Sequence, residues 1–179
     1  MEEKFFPSLM NKNELLRLEQ AYCYPAKGCY KGIVKVDLDL TSLYPFLRAV
    51  AKTLYFEPNE KIIFKYHHNG KDYKVTISKD EVSFALVSDK EEAYEVWKGL
   101  KDYLEEVWQK RSEITPSFKP VQRLNPLEIY KLLPKTNCKE CGFLSCLAFA
   151  SALTTADTEP KQCPYLDEEI KNYLSEKLS

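Results

Sequence analysis

The spacing of apolar and polar residues changes period several times along the chain. Residues 12–22 carry Leu15, Leu16 and Leu18, which predict a short helix with these leucines inward. The stretch "GIVKVDLDL" (32–40) then alternates. Val34, Val36, Leu38 and Leu40 face one way and Lys35, Asp37 and Asp39 the other, the pattern of a half-buried strand. Thr41 or Ser42 can cap a helix that carries Leu43, Leu47, Val50 and Leu54 on one side, with Pro45 tolerated in its first turn. Ile62, Phe64 and Tyr66 alternate before Asn69-Gly70, and Tyr73, Val75 and Ile77 alternate after it, predicting a hairpin. Val82, Phe84 and Leu86 make a further strand. Asp89 with Glu92 is a capping-box pattern ahead of the clearest helix. Its stripe runs through Ala93, Val96, Trp97, Leu100, Tyr103, Leu104, Val107 and Trp108.

The order β-α-β-β-β-α predicts an α+β domain over residues 1–112. Its simplest form is a four-stranded, mostly antiparallel sheet with two helices on one face. The stretch 113–123 contains Pro116 and Pro120, lacks periodicity and reads as a linker. The remainder, 124–179, is expected to be a small helical domain, too short to bury much apolar surface without a staple.

Composition narrows the setting. The net charge is −1, which speaks against nucleic acid or an anionic membrane as partner. The chain has no run of 18 apolar residues, so no membrane-inserted helix is expected. "MEEKFF" at the start does not read as a secretory signal. A cytoplasmic protein with reduced thiols is expected, in which clustered cysteines are metal ligands rather than disulfides.

Four of the six cysteines, Cys138, Cys141, Cys146 and Cys163, lie in the spacing C-x2-C-x4-C-x16-C. Four thiolates close a metal site, and soft sulfur selects zinc, copper(I) or iron–sulfur clusters over magnesium or calcium. Structural zinc usually takes ligands from two separated knuckles. Three thiols together and a distant fourth, followed by Pro164, are closer to ferredoxin-type ligation, although the spacing differs from the bacterial and plant-type runs. Gly142 can take positive φ. Ser145 can cap a helix over 146–155 and place Cys146 at its positive end. Phe143, Leu144, Leu147, Phe149 and Tyr165 are expected to limit water access to the site.

The segment "LPKTNCKECGFLSCLAFASAL…CPYL" resembles the small four-cysteine domain at the start of the large subunit of the corrinoid iron–sulfur protein, from the acetyl-CoA synthase/decarbonylase system of anaerobes. It also resembles a module in one subunit of the Rnf electron-transport complex. The matching features are Leu133-Pro134, Asn137, the four cysteines, Gly142, Ala148-Phe149-Ala150 and Cys163-Pro164. The resemblance covers roughly the last 50 residues. It implies that Cys138, Cys141, Cys146 and Cys163 ligate a [4Fe-4S] cluster that passes single electrons, with zinc as the alternative. Lys139 stands where that family usually carries glycine, and its charge should raise the reduction potential. The corrinoid-binding barrel of the large subunit has no counterpart in these residues, so a different protein is expected.

Three functional readings follow. The first is a carrier of single electrons to an anaerobic enzyme system, with a redox protein or a corrinoid protein as partner. The second is a reductive activator or accessory subunit of a corrinoid methyl-transfer enzyme. The third is an interaction or regulatory module with a structural cluster or zinc. An accessory protein is favoured over a stand-alone enzyme, since no Ser-His-Asp order, P-loop or dinucleotide fingerprint is present. The outward sheet face (Lys35, Asp37, Asp39, Lys65, Lys74, Thr76) is a candidate docking surface. Cys23 and Cys29 are a possible redox pair, more simply two reduced thiols in a loop. His67 and His68, adjacent in a strand, point to opposite faces and read as hairpin-end residues.

Overall fold

The computed structural model describes residues 6, 16–21, 29–121 and 124–178. The chain divides into two compact units, 1–120 and 121–179.

The first unit is α+β. Its strands are β1 (Leu16–Gln20), β2 (Tyr30–Lys35), β3 (Lys52–Glu57), β4 (Lys61–His68), β5 (Lys71–Ser78) and β6 (Glu81–Val87), with α1 (Tyr44–Val50) and α2 (Lys90–Gln109). They form one sheet in the order β1-β2-β6-β5-β4-β3, antiparallel throughout. β3 to β6 form a meander, and β2 joins the far side of β6. The α1 segment therefore carries the chain from one side of the sheet to the other.

The sheet has six strands where the sequence pattern predicts four, and both extra strands lie at its edges. Residues 16–20 form a strand, not a helix. Leu16 and Leu18 sit two apart, face the same side, and pair with Val34 and Gly32 of β2. The alternating stretch that begins at Gly32 leaves the ladder after Lys35, so Asp37 and Asp39 are not part of the sheet face. Val36 and Leu40 stay buried beyond the strand end, held by bonds from their N–H groups to the Asp80 and Lys79 carbonyls, both at 2.8 Å. The predicted helix that follows stops at Val50 because Ala51 is already extended (φ −96°, ψ 152°). Leu54 therefore belongs to β3, where Thr53 and Phe56 are buried opposite Phe64 and Ile62. β-branched and aromatic residues in "KTLYFE" suit a pleated strand better than a helix. The cap also moves. Thr41–Leu43 make a 3-10 turn, and Asp39 accepts from the Thr41 backbone N–H at 2.9 Å and hydroxyl at 2.6 Å.

The core forms between the sheet and its helices. Val34, Ile62, Phe64, Val75, Ile77, Val82 and Phe84 are fully buried from the sheet, and Ala93, Val96, Leu100 and Leu104 from α2. Both helices contact the sheet and each other. One close approach depends on glycine. A Cβ at Gly99 would lie 2.5 Å from the His68 ring and 2.8 Å from the Tyr66 hydroxyl. The bare backbone lets His68 stack on Tyr66 beneath α2, while His67 faces out and pairs with Asp72 at 2.6 Å. Residues 117–119 are held to this unit: Ser117 N–H donates to the Pro45 carbonyl at 2.9 Å, and Arg48 Nε to that of Lys119 at 3.2 Å.

The start of α2 is locked by one carboxylate. Asp89 accepts from Glu92 N–H at 2.8 Å. Glu92 reaches past the cap to Ser88, accepting from its N–H and its hydroxyl, both at 2.6 Å. Its other oxygen accepts from Lys71 Nζ at 2.7 Å and the Tyr73 hydroxyl at 2.6 Å, tying the helix to β5. Burial alone would raise the Glu92 carboxyl. The hydrogen bonds from Lys71, Ser88 and Tyr73 outweigh it and hold the group at about 2, against an ordinary 4.5. A depressed folded-state value stabilises the fold above the unfolded value, and that contribution fades as pH falls through the folded one. Glu92→Gln should therefore lose about 1–2 kcal/mol at neutral pH. Thermal melts should show the parent losing stability between about pH 4.5 and pH 2 and the variant losing less there; parallel curves would refute the assignment.

Candidate metal centre

The second unit contains α3 (Pro126–Leu132), α4 (Cys146–Thr154) and α5 (Glu168–Leu178). Asn125 caps α3 by accepting from Leu127 N–H at 2.9 Å, and Glu128 returns the bond to Asn125 N–H at 2.9 Å. Ser145 caps α4, accepting from Ala148 N–H at 3.1 Å, so Cys146 is its first residue. Ile129, Leu133, Phe149, Ala150, Leu153, Leu166 and Leu174 form one apolar cluster, and Cys141, Cys146 and Cys163 are part of it. Cys138 is exposed. Thiols thus occupy core positions where a larger unit would place aliphatic side chains.

The loop between α3 and α4 is bent by left-handed residues. Lys135, Asn137, Lys139 and Gly142 have φ of 60°, 49°, 66° and 85°. Such turns point successive backbone N–H groups toward one side and make concavities that suit anions, iron–sulfur sites among them. Asn137 is more than a turn residue. Its Oδ1 accepts from Cys146 N–H at 2.8 Å and fastens the loop to the start of α4. Gln162 Nε2 donates to the Cys141 carbonyl at 3.3 Å and is itself positioned by the Thr158 hydroxyl at 3.1 Å. The Tyr165 hydroxyl donates to Glu140 at 2.8 Å, bracing the loop that holds Cys163 against the one that holds Cys141. No spacing or motif points to Gln162 or Thr158, which act through space.

The Cys163 thiol feels its three companions. Burial pushes the Cys163 thiol up, the Tyr165 backbone N–H pulls it down, and the charges of Cys141, Cys146 and Cys138 push it up again. Thiols bind a metal as thiolates, so a soft cation or cluster bound here would offset the burial and repulsion felt at Cys163. Among the described residues, no three Cys, His, Asp or Glu side chains converge as a single metal ion would require. The donor set is all sulfur, which suits a soft metal or an iron–sulfur cluster.

Several predicted residues differ in place. Phe149 is buried and Phe143 packs edge-on against it, centroids 5.5 Å apart. Leu144, Leu147 and Tyr165 are solvent-exposed, at 80%, 42% and 55%. Leu144 follows the tight turn at Gly142 and faces solvent, and Leu147 lies on the outer side of α4. Lys139 and Pro164 are exposed as well. Cys29 is half-buried at the start of β2, its carbonyl accepting from Ala21 N–H at 3.1 Å. Its possible partner Cys23 lies outside the described residues.

A family model described as "Putative Fe-S cluster" matches residues 133–165. The same region is 50% identical over 46 residues to the gamma subunit of the acetyl-CoA decarbonylase/synthase complex of Methanocaldococcus jannaschii, covering 26% of this chain and 9% of that protein. It is 55% identical over 47 residues to gamma subunit 2 of Methanosarcina thermophila, covering 26% and 10%. It is 47% identical over 51 residues to the corrinoid/iron-sulfur protein large subunit of Moorella thermoacetica, covering 28% and 11%. The chain thus spans about a tenth of the length of these relatives. No solved structure matches it significantly. The similarity supports an iron–sulfur cluster as the cofactor of this region. Among the described residues, no helix is long and apolar enough to cross a membrane.

Two backbone substitutions separate conformation from space. Nothing lies within 4 Å of a Cβ added at Gly142, so Gly142→Ala is opposed only by its φ of +85°. It should cost the C-terminal unit about 1–2 kcal/mol. Lys139→Gly, at φ +66°, should cost nothing or stabilise by up to about 1 kcal/mol. Denaturant unfolding followed in the cluster absorption reads both; equal losses would contradict the left-handed assignment.

Proposed function

We propose that this chain carries single electrons through a [4Fe-4S] cluster ligated by Cys138, Cys141, Cys146 and Cys163. The observation that carries the reading is the four-thiol constellation itself, three members buried in one apolar core, within a segment similar to iron–sulfur subunits. With every iron held by a thiolate no coordination position stays open, so the chemistry such a cluster supplies when bound is one-electron transfer rather than substrate activation.

The chain's own residues set the conditions. Phe149, Ile129 and Leu166 exclude water from the buried thiols. The Tyr165 N–H bonded to the Cys163 sulfur and the positive start of α4 beneath Cys146 both favour added negative charge, which makes reduction easier. Cys138 is the exposed ligand, and exposed Leu144 and Tyr165 flank other ligands in sequence. Electrons are expected to leave through that exposed edge. The partner we favour is a corrinoid protein or another redox protein of an anaerobic system, since the relatives are subunits of such assemblies by name. The sheet domain would be the part that recognises it; since residues 117–119 are held to that domain, the linker expected over 113–123 narrows to the residues that follow Lys119.

Purification without oxygen, with iron, sulfide and zinc measured per chain, tests the ligation. The expected result is about four irons and four sulfides, with visible absorption that bleaches under dithionite and is lost in Cys163→Ser. About one zinc and no sulfide would overturn the proposal and leave a zinc-stapled interaction domain.

Lys139 offers a second check. Its ammonium favours the more negative, reduced state. Lys139→Gln should lower the reduction potential by a few tens of mV, on the order of the Coulomb energy of one exposed charge near the site. Spectroelectrochemical titration of both proteins at low ionic strength measures this; an unchanged or higher potential would remove Lys139 from the cluster's surroundings.

A further inference from the structure

The four thiols of the metal centre are not held alike. Cys141, Cys146 and Cys163 are 7%, 7% and 4% exposed, and each is tied into the unit. The Cys141 carbonyl accepts from Gln162 Nε2 at 3.3 Å. Cys146 begins the capped helix α4 and gives its N–H to Asn137. The Cys163 N–H donates to the Pro160 carbonyl at 3.3 Å, and its sulfur accepts from the Tyr165 N–H. Cys138 lacks such ties. It is exposed, as is every residue from 134 to 140, and among the described residues no hydrogen bond engages its peptide groups. Its neighbours on both sides, Asn137 and Lys139, are left-handed, at φ 49° and 66°, a conformation that costs energy in residues with a Cβ.

The flanks of Cys138 are nevertheless anchored without it. Asn137 is fastened to α4 through its side chain at 2.8 Å, and the Lys139 carbonyl accepts from Gly142 N–H at 2.9 Å. Rotation of one exposed side chain therefore suffices to free the Cys138 sulfur. Release of any of the other three has to open the apolar cluster that holds Ile129, Phe149 and Leu166, which is the costlier local opening. We infer that Cys138 is the releasable ligand of the centre and makes it a reversible redox switch: oxidation frees this thiol and one iron, while Cys141, Cys146 and Cys163 keep the rest. The inference rests on the iron–sulfur reading above. In the step, a one-electron oxidant takes an electron from the resting cluster, and one iron leaves as a ferrous ion. The bond from that iron to the Cys138 sulfur breaks with its electron pair kept by sulfur, and the thiolate takes a proton from water. The remaining irons and the sulfides stay on the three buried thiolates. Charge favours the same position. The exposed Lys139 ammonium, next in sequence, repels both the extra positive charge of the oxidised centre and the departing iron. Ferrous iron and a reductant rebuild the fourth corner.

The test takes the full chain, loaded and purified without oxygen, and adds ferricyanide in steps. Iodoacetamide traps the thiols freed at each step. After unfolding, heavy-isotope iodoacetamide labels the remainder, and mass spectrometry reads each cysteine. Cys138 should take the first label at least about tenfold faster than Cys141, Cys146 or Cys163, because trapping follows exposure. About one iron per chain should be lost with the sulfide retained. Ferrous iron and dithionite, added before the trap, should abolish that labelling. Equal labelling of the four, earlier labelling of a buried one, or loss of all iron in one step would overturn the inference. Cys138→Ala gives an independent reading: it should retain a cluster with about three irons per chain, whereas Cys146→Ala should hold none. Loss of the cluster from both variants would count against the proposal. Zinc without sulfide before any oxidant is added would overturn the iron–sulfur reading and this inference with it; sulfide with uniform labelling would overturn this inference alone.

Discussion

Burying thiols together is the constraint on which the C-terminal unit depends. Cys141, Cys146 and Cys163 occupy its apolar core, and Cys163 feels the charge of its three companions. Protonated, these groups are small and leave a thin core around Ile129, Phe149 and Leu174. Ionised, they repel one another in a medium that solvates them poorly. A cation centre resolves both difficulties and supplies the bonds that a short chain cannot gain from apolar burial alone. With such a centre bound, folding and cofactor binding would be one equilibrium. The loop is built for that state, with Asn137 fastening it to α4 and Gln162 fastening Cys141 to the turn before Cys163.

The sheet unit obeys a different logic. Its core is closed by Phe64, Phe84, Leu100 and Leu104, and Glu92 ties the start of α2 to Ser88 and to β5 through four hydrogen bonds. Nothing in its described residues calls for a cofactor.

The difference between the units explains which features were legible in the sequence. The Asn69-Gly70 turn and the long stripe of α2 are local signals, and both elements stand where the pattern puts them. The alternation from Val34 to Leu40 marks a strand but overruns it, because Val36 and Leu40 are buried by the turn after β2 rather than by the ladder. Edge strands are harder. β1 has neighbours on one side only, and its pattern Leu16, Leu18 satisfies a helix or a strand over so few residues. β3 follows α1 with no glycine or proline between them, so Leu54 extends an apolar spacing that Ala51 has already broken. In the metal centre, cysteine spacing is legible because each thiol is defined by chemistry rather than by packing. Whether Leu144 and Tyr165 point inward depends on loop conformation, and loop conformation depends on φ at Lys139 and Gly142, which spacing does not encode.

Lys139 links these themes. A lysine held left-handed at φ +66° costs the loop conformational energy that a glycine would not. It also places an exposed positive charge next to Cys138, the thiol open to solvent. In the proposed electron transfer, reduction adds negative charge at that edge, and a cation there favours the reduced form and attracts an acidic partner surface. The backbone strain and the electrostatic gain fall on the same residue. A substitution that relaxes the first must also forgo the second, so conformation and potential at this position cannot be tuned independently with natural side chains.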